Sequence, residues 1–398
     1  MHIKDKITTR IFFNDPYRIY SALSDLYDNP PADITDCIGS LITEIAGLEE
    51  LALIIDKPYV ELEGEICGAI PGDDPFGGGA GYRDILTTGD YIVSNADELI
   101  SAVGKAGAGQ VIFVKGGAEI DLTDDQYTDD LILNFAAGVT LASDRGLNGS
   151  TGALLITRKW DRKPLIEVEG DSVRITGICI KGPDPTDHDR MHTSCYSHDW
   201  KSFNHDRYYK VPMANGISVA GNNITIDNCE LAGFSYAAIT LNRGENHYIH
   251  HNYIHHNIIK GLGYGIAHGR ATSLIEYNIF NYNRHSIAAS GHPGSGYEAR
   301  HNIELGNAIG HNFDAHGGAD RKDGTNIACR YVLMHHNIFM EKNYYPYWLR
   351  GAPEDRQEFN NNFVYKPYSA FETKHLVGER AYVRNNAFDF NNPVLVRE

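Results

Sequence analysis

An asparagine recurs through the second half of the chain at nearly constant intervals. It closes a short apolar-polar run at Asn228, Asn252, Asn278, Asn302, Asn337, Asn362 and Asn386, with spacings of 24, 26, 24, 35, 25 and 24 residues. A period of this size means stacked supersecondary units, none of which can bury its apolar face alone. Between the asparagines lie short alternating runs such as Gly216-Ile217-Ser218-Val219 and Asn223-Ile224-Thr225-Ile226, joined by polar turns and without long helical patterns. Each unit therefore reads as one coil of a parallel β-helix. The expected fold is all-β, a right-handed single-stranded solenoid carrying an N-terminal helical segment. The asparagines would stack at one corner, where they tolerate left-handed backbone and hydrogen-bond along a ladder. That is a structural duty, and no chemistry is assigned to it.

The coil extends backward through Asp171–Lys181, and Ala96–Ala106 reads as a short amphipathic helix plugging the open N-terminal end. The expected division is residues 1–95 as a helical and capping segment and 96–398 as the β-helix. Asn14-Asp15-Pro16 starts one helix that Asn29-Pro30-Pro31 stops, and a second runs from Asp33 or Thr35 to Leu48. Pro58–Gly64 alternates like a strand. Gly77-Gly78-Gly79-Ala80-Gly81 reads as a flexible loop, and with no Lys-Ser/Thr after it, it is not a phosphate loop. Two insertions leave the rod, Pro183–Pro212 and Gly310–Cys329, the second producing the 35-residue interval. Insertions on one side of a solenoid carry its binding function.

Charge narrows the partners. The net charge of −17 divides into −12 over residues 1–120, −6 over 121–235 and +1 over 236–398, and 14 of the 19 histidines fall in the last segment. The acidic total disfavours nucleic acid, whereas the C-terminal part can form a groove that takes an anion. No run approaches the roughly 18 apolar residues of a membrane span. Six widely spaced cysteines without a Cys-x-x-Cys pair argue against a disulfide scaffold or a structural zinc site. The N-terminus lacks the profile of a secretory leader; localisation stays open between the cytoplasm and export after leader removal, and a homo-oligomer is left open as well.

His268, His292, His316 and Arg350 stand 16, 14, 14 and 13 residues after their asparagines. Allowing a slip of one or two residues at turns, they occupy the same side of successive coils, spaced by about 4.8 Å. The sharpest local string is His311-Asn312-Phe313-Asp314-Ala315-His316-Gly317-Gly318. If extended, it turns Asp314 and His316 outward and Phe313 and Ala315 inward. A carboxylate beside an imidazole fixes its tautomer and raises its basicity, which suits proton abstraction. Gly317-Gly318 would let a ligand approach closely. The pairs His250-His251, His255-His256 and His335-His336 read as turn residues. The Asp- and His-containing stretch 184–206 reads as a polar flap that keeps a divalent cation such as calcium open, with no metal ligands assigned. Tyr344-Tyr345-Pro346-Tyr347-Trp348 offers sugar-stacking platforms, part of which must face the core.

On these residues the chain resembles right-handed parallel β-helix enzymes acting on polysaccharides, the pectate-lyase-like superfamily, over roughly residues 96–390. Phe313-Asp314-Ala315-His316 is similar to the Asp-Pro-His motif of mannuronan C5-epimerases and related alginate-active β-helix lyases. The resemblance implies catalytic roles for Asp314 and His316. The chain departs from that pattern with Ala315 for proline, Gly317 for an acidic residue and His311 for a tyrosine.

The residues fit the chemistry by themselves. β-Elimination from a uronate removes the C5 proton, which requires that the neighbouring carboxylate be neutralised. Arg350 is the expected clamp, helped by Arg284 and Arg270. His316 would take the proton, and His292, His285 or His311 would protonate the leaving oxygen. His268, Arg321 and Tyr347 complete the expected substrate contacts. The expected activity is a polysaccharide lyase on a uronate polymer, with alginate leading. The alternatives are a C5-epimerase, a glycoside hydrolase or transferase using Asp314 with Glu298 or Asp320, and a non-catalytic carbohydrate-binding rod.

Overall fold

The computed structural model describes residues 58–183, 212–259, 261–371 and 378–397. The two helices expected before residue 50 and most of the insertion 183–212 lie outside the described residues. The rest forms a parallel β-helix, in which each strand pairs in parallel with its counterpart on the neighbouring coil. Three faces run along it. The first contains Asn215–Val219, the front halves of Ala237–His250 and Tyr264–Glu276, then His285–Ala289, Phe313–Ala315 and Tyr347–Leu349. The second runs from Tyr91–Val93 to Ala381–Arg384. The third runs from Glu119–Asp121 to Asn386–Phe388 and ends on the antiparallel strand Val394–Val396.

Side-chain period two on stacked strands produces continuous inward rows. On the second face the row is Leu141, Ile175, Ile226, Ile249, Ile275, Ala299, Met334 and Phe359. On the first it is Ile166, Ile217, Ile239, Ile266, Ile287, Phe313 and Tyr347. These residues are at most 1% exposed. Because β-branched and aromatic side chains suit a pleated, buried surface, the rows set the register of every coil. The first coil begins at Tyr91, and the helix Ala96–Val103 lays Leu99 and Ala102 over its open end. Asn95 accepts from the Glu98 N–H and Glu98 reaches back to the Ser94 N–H, so the exposed helix start is satisfied reciprocally.

The corner between the second and third faces carries the asparagine ladder. Each side-chain oxygen accepts from the previous asparagine's backbone and side-chain N–H groups, at 2.9–3.1 Å from Asn252 through Asn386. The left-handed residue is the one before each ladder position: His251, Tyr277, His301, His336, Asn361 and Asn385 have φ of 50–55°. Asn228 itself has φ 51° and aligns with His251, so the ladder's first register position is Cys229. The expected count was off by one there. A second, shorter ladder, Asn257 to Asn283, occupies another corner. The outward rings of the left-handed residues form a column, His251 stacked on Tyr277 and Tyr277 on His301 with centroids 4.9 and 5.1 Å apart, and His336 tilted against His301 at 5.4 Å.

The segment before Tyr91 runs along this corner as a strap. The hairpin of Tyr59–Leu62 and Glu65–Gly68 binds the corner at Asn361, Ile70 N–H donates to His301 Nδ1, Gly77 N–H to the Tyr277 carbonyl and Gly79 N–H to Asn228 Oδ1. Tyr82 then donates to Asp227 at 2.9 Å. The glycine run is a packed element rather than the expected flexible loop. A Cβ on Gly78 would sit 2.4 Å from the His251 carbonyl oxygen, and its φ is +69°. Among the described residues, Cys67, Cys179, Cys229 and Cys329 are buried and not joined in disulfides.

Candidate active site

Two consecutive inward residues at a corner reset the alternation on the first face. Asn312 and Phe313 are both fully buried, after which Asp314 faces out, Ala315 in and His316 out. Asp314 pairs with Ala288 and Trp348 on the adjacent coils. His316 and Arg350 follow one position after the paired inward residues Ala315 and Leu349, so they are neighbours on consecutive coils. The helical turn Gly318–Arg321 brings Asp320 back against them. Arg321 pins that turn: its guanidinium donates to the carbonyls of Ser290, His316 and Ile327 and pairs with Asp323.

The centre of the cluster is one guanidinium. Arg350 Nη2 lies 2.5 Å from Asp314 Oδ2 and 2.7 Å from His316 Nε2, while Nη1 lies 3.2 Å from Asp320 Oδ2. A guanidinium can only donate, so His316 Nε2 is the accepting nitrogen. The His316 Nδ1–H then donates to Asp320 Oδ2 at 3.1 Å. The Nε2 lone pair thereby rests against Arg350 while Asp320 orients the ring. Burial would raise the Asp314 pKa, but the adjacent His311 and the Arg350 guanidinium on both of its oxygens hold it well below the usual carboxylate range. Asp314 is therefore a buried anion at 0% exposure, whereas the His316 and Asp320 side chains are each 37% exposed.

Beside it is a second, drier group. His285 and His311 stack with centroids 4.0 Å apart. The His285 Nδ1–H donates to the His311 carbonyl oxygen at 2.5 Å, which leaves Nε2 as a lone pair, and that atom is buried without a hydrogen-bond partner. His311 Nε2 is likewise buried without one; its nearest acceptor, Asp314 Oδ2, stands at 3.5 Å. Burial, and then the neighbouring His311 and Arg284, which disfavour a further positive charge, hold His285 well below its ordinary pKa; burial also lowers His311, against the pull of Asp314. His285, His311 and Asp314 each point one ligand-type atom into a region where all three lie within 4.8 Å of one another.

A cleft of about 550 Å³ leads from His316 and Asp320 across Ser290, Ala288 and Ala267 to Tyr264 and Tyr236. Small residues and two tyrosines are among its lining, and its volume suits a few sugar rings.

The structure brings together five of the expected residues, His316, Asp314, Arg350, His311 and His285, with Arg284 beside the last two, its cation 5.9 Å from the Tyr264 ring. Others lie elsewhere. His268 pairs with Leu241 and Ala289 in an inward row, is 1% exposed and bonds to Ser273 at 3.1 Å. Counting from the asparagine slipped by one residue, and one residue reverses the side. Tyr347 follows Ile287 and Phe313 in the core row, and Trp348 is the aromatic that faces out. His292 lies past the strand end with Arg270 and Arg321 as its electrostatic neighbours, and Arg270 is exposed. Arg321 is committed to backbone carbonyls, so it shapes the cleft rather than waiting for a ligand. The room expected at Gly317 and Gly318 is filled by protein, since Cβ atoms there would fall 2.0 Å from the Arg350 oxygen and 2.1 Å from the Thr325 oxygen. Glu298 is on the second face with Arg300 and His335, away from Asp314. The orienting role of Asp320 escaped the sequence reading; its signal was the i, i+4 spacing from His316 on a turn.

No protein-family model matches the chain, and no curated protein matches it in sequence. Among solved structures it is similar to an alginate lyase from Paenibacillus sp. str. FPU-7, with 15% identity over 75% of this chain and 94% of that one and a TM-score of 0.46. It is also similar to a mannuronan C-5 epimerase A-module from Azotobacter vinelandii, with 12% identity over 76% and 91% of the two chains and a TM-score of 0.43. A pectin methylesterase bound to a hexasaccharide gives 8% identity, 76% and 90% coverage and a TM-score of 0.36. At these values the likenesses carry nothing about chemistry or substrate.

Proposed function

We propose that this chain is a polysaccharide lyase that cleaves a uronate-containing polymer by β-elimination, with alginate the first substrate to test. The observation that supports it best is Arg350 resting on the lone pair of a histidine whose tautomer Asp320 fixes, at the end of an open cleft. A substrate carboxylate that draws the guanidinium toward itself neutralises its own charge and uncovers His316 Nε2 in one movement. Nε2 then takes the C5 proton, the electron pair forms the C4–C5 double bond, and the C4–O4 bond breaks. The imidazolium so formed, held by Asp320, returns its proton to O4. His285 and His311 are kept neutral by burial and are poorer donors for that step than His316.

A hydrolase with two carboxylates fits less well. Asp314 is fully buried beneath Arg350, so of the pair Asp314 and Asp320 the second alone reaches the cleft. Incubation with alginate, its mannuronate and guluronate blocks and polygalacturonate tests the reading. Unsaturated ends absorbing in the far ultraviolet, absent with His316→Ala, support it. New reducing ends without that absorbance would replace it with hydrolysis, and solvent deuterium entering C5 without chain shortening would replace it with epimerisation.

A further inference from the structure

We propose that His285, His311 and Asp314 form a binding site for one divalent transition ion of the zinc class, directly beside the base. The first argument is the pair of orphaned nitrogens. His285 Nε2 and His311 Nε2 are both buried without a hydrogen-bond partner, and His285, His311 and Asp314 each offer one ligand-type atom within 4.8 Å of the others. Leaving a buried polar atom without a partner is unfavourable, and two such atoms in one cluster with an anion point to a missing third body. The second argument is how His285 is held. Its Nδ1–H is committed to the His311 carbonyl, which fixes the Nε2 lone pair and orients the ring as outer partners do for metal-ligating histidines. Asp314 is held in a similar way, since Arg350 Nε donates to Oδ1 at 3.3 Å and fixes the carboxylate.

The chemistry of the set selects the ion. Two neutral imidazoles and one carboxylate suit zinc, cobalt, iron or nickel, whereas calcium and magnesium take oxygen shells. Around a tetrahedral zinc with bonds of about 2.0–2.1 Å, donor atoms stand roughly 3.3 Å apart. His311 Nε2 and Asp314 Oδ2 are already at 3.5 Å, and the His285 nitrogen, now within 4.8 Å, would close in by at most about 1.5 Å. Three protein ligands leave a fourth position open. With Arg350 and Arg284 beside it, that position favours an anionic oxygen. If the lyase reading holds, the uronate carboxylate fills it; the binding itself does not rest on that reading.

The test uses the full chain, stripped with a chelator and titrated with cobalt chloride and zinc chloride. Because the Asp- and His-containing stretch 184–206 could take ions as well, the readout is the difference between wild type and the separate variants His311→Gln and His285→Gln, each verified to unfold cooperatively. The expected result is one more zinc per chain in wild type, a visible cobalt ligand-field band of low-symmetry coordination, and loss of both in either variant, with affinity weakened at least about 100-fold. Equal stoichiometry and affinity in wild type and both variants would overturn the site and assign the orphaned nitrogens to a water. Since no polymer is present, metal binding without polyuronate cleavage would count against the lyase alone, and cleavage without metal binding against the site alone.

Discussion

Asp320 and His316 make the sharpest single-residue tests. Losing a positioned general base reduces turnover by about 100- to 10,000-fold, and His316→Ala is expected to fall in that range for kcat while the unfolding midpoint stays unchanged. Asp320→Asn removes the acceptor that fixes the Nδ1–H tautomer; we expect a kcat loss of about tenfold or more with a smaller change in KM. A Lys at 350 keeps the charge but loses the fork that reaches Asp314, His316 and Asp320 together, so Arg350→Lys should lose most activity. Glycine tests packing instead. Gly317→Ala drives a methyl into the Arg350 carbonyl at 2.0 Å, which should destabilise the fold by about 1–3 kcal/mol in denaturant titration and disturb Arg350 with it. The residues readable from sequence were those whose side chain chemistry and strand parity agreed, Asp314, His316 and Arg350. His268 and Tyr347 were misplaced because parity near a corner depends on how many consecutive residues turn inward, which composition does not encode.

The corner ladder is an element that can be probed through one residue. Asn302, itself fully buried, bonds Asn278, Asn337 and the carbonyls of Ile275 and Arg300. Asn302→Ala strands several of these groups and should cost about 2–5 kcal/mol, read as a lowered denaturation midpoint. The stacked imidazoles on the same corner set a pH dependence. Burial, reinforced by neighbouring imidazoles, lowers His251 and His336 to about 4 and His301 to about 3. Each stays neutral in the fold while the unfolded chain protonates near 6.5. Their contribution is thus complete above about pH 7 and is lost as pH falls through 6 toward 4, because the unfolded state binds more protons there. The melting temperature should drop over that window. His301→Asn, which tolerates the left-handed backbone and does not titrate, should flatten the drop; an unchanged slope would remove this histidine from the account. The repeat made the ladder legible, while the strap was not, since Gly77-Gly78-Gly79 carries no sign in its own letters of the corner that it must fit.

Across the whole molecule, a solenoid explains why the site can be assembled from residues far apart in sequence. Asp314, His316 and Arg350 meet because the register of two coils is fixed by the Phe313–Tyr347 core row, and His285 joins them from the coil before. The coil period was written in the asparagines; which side chains converge was written only in the corners. If the substrate is a polyanion steered by the less acidic C-terminal half, KM should rise with ionic strength while kcat changes little. The most direct measurement is far-ultraviolet absorbance during incubation of wild type and His316→Ala with a panel of polyuronates. The proposed chemistry predicts a rise with at least one polymer in wild type and none in the variant. An equal rise in both, or polymer shortening in wild type without any rise, would contradict it.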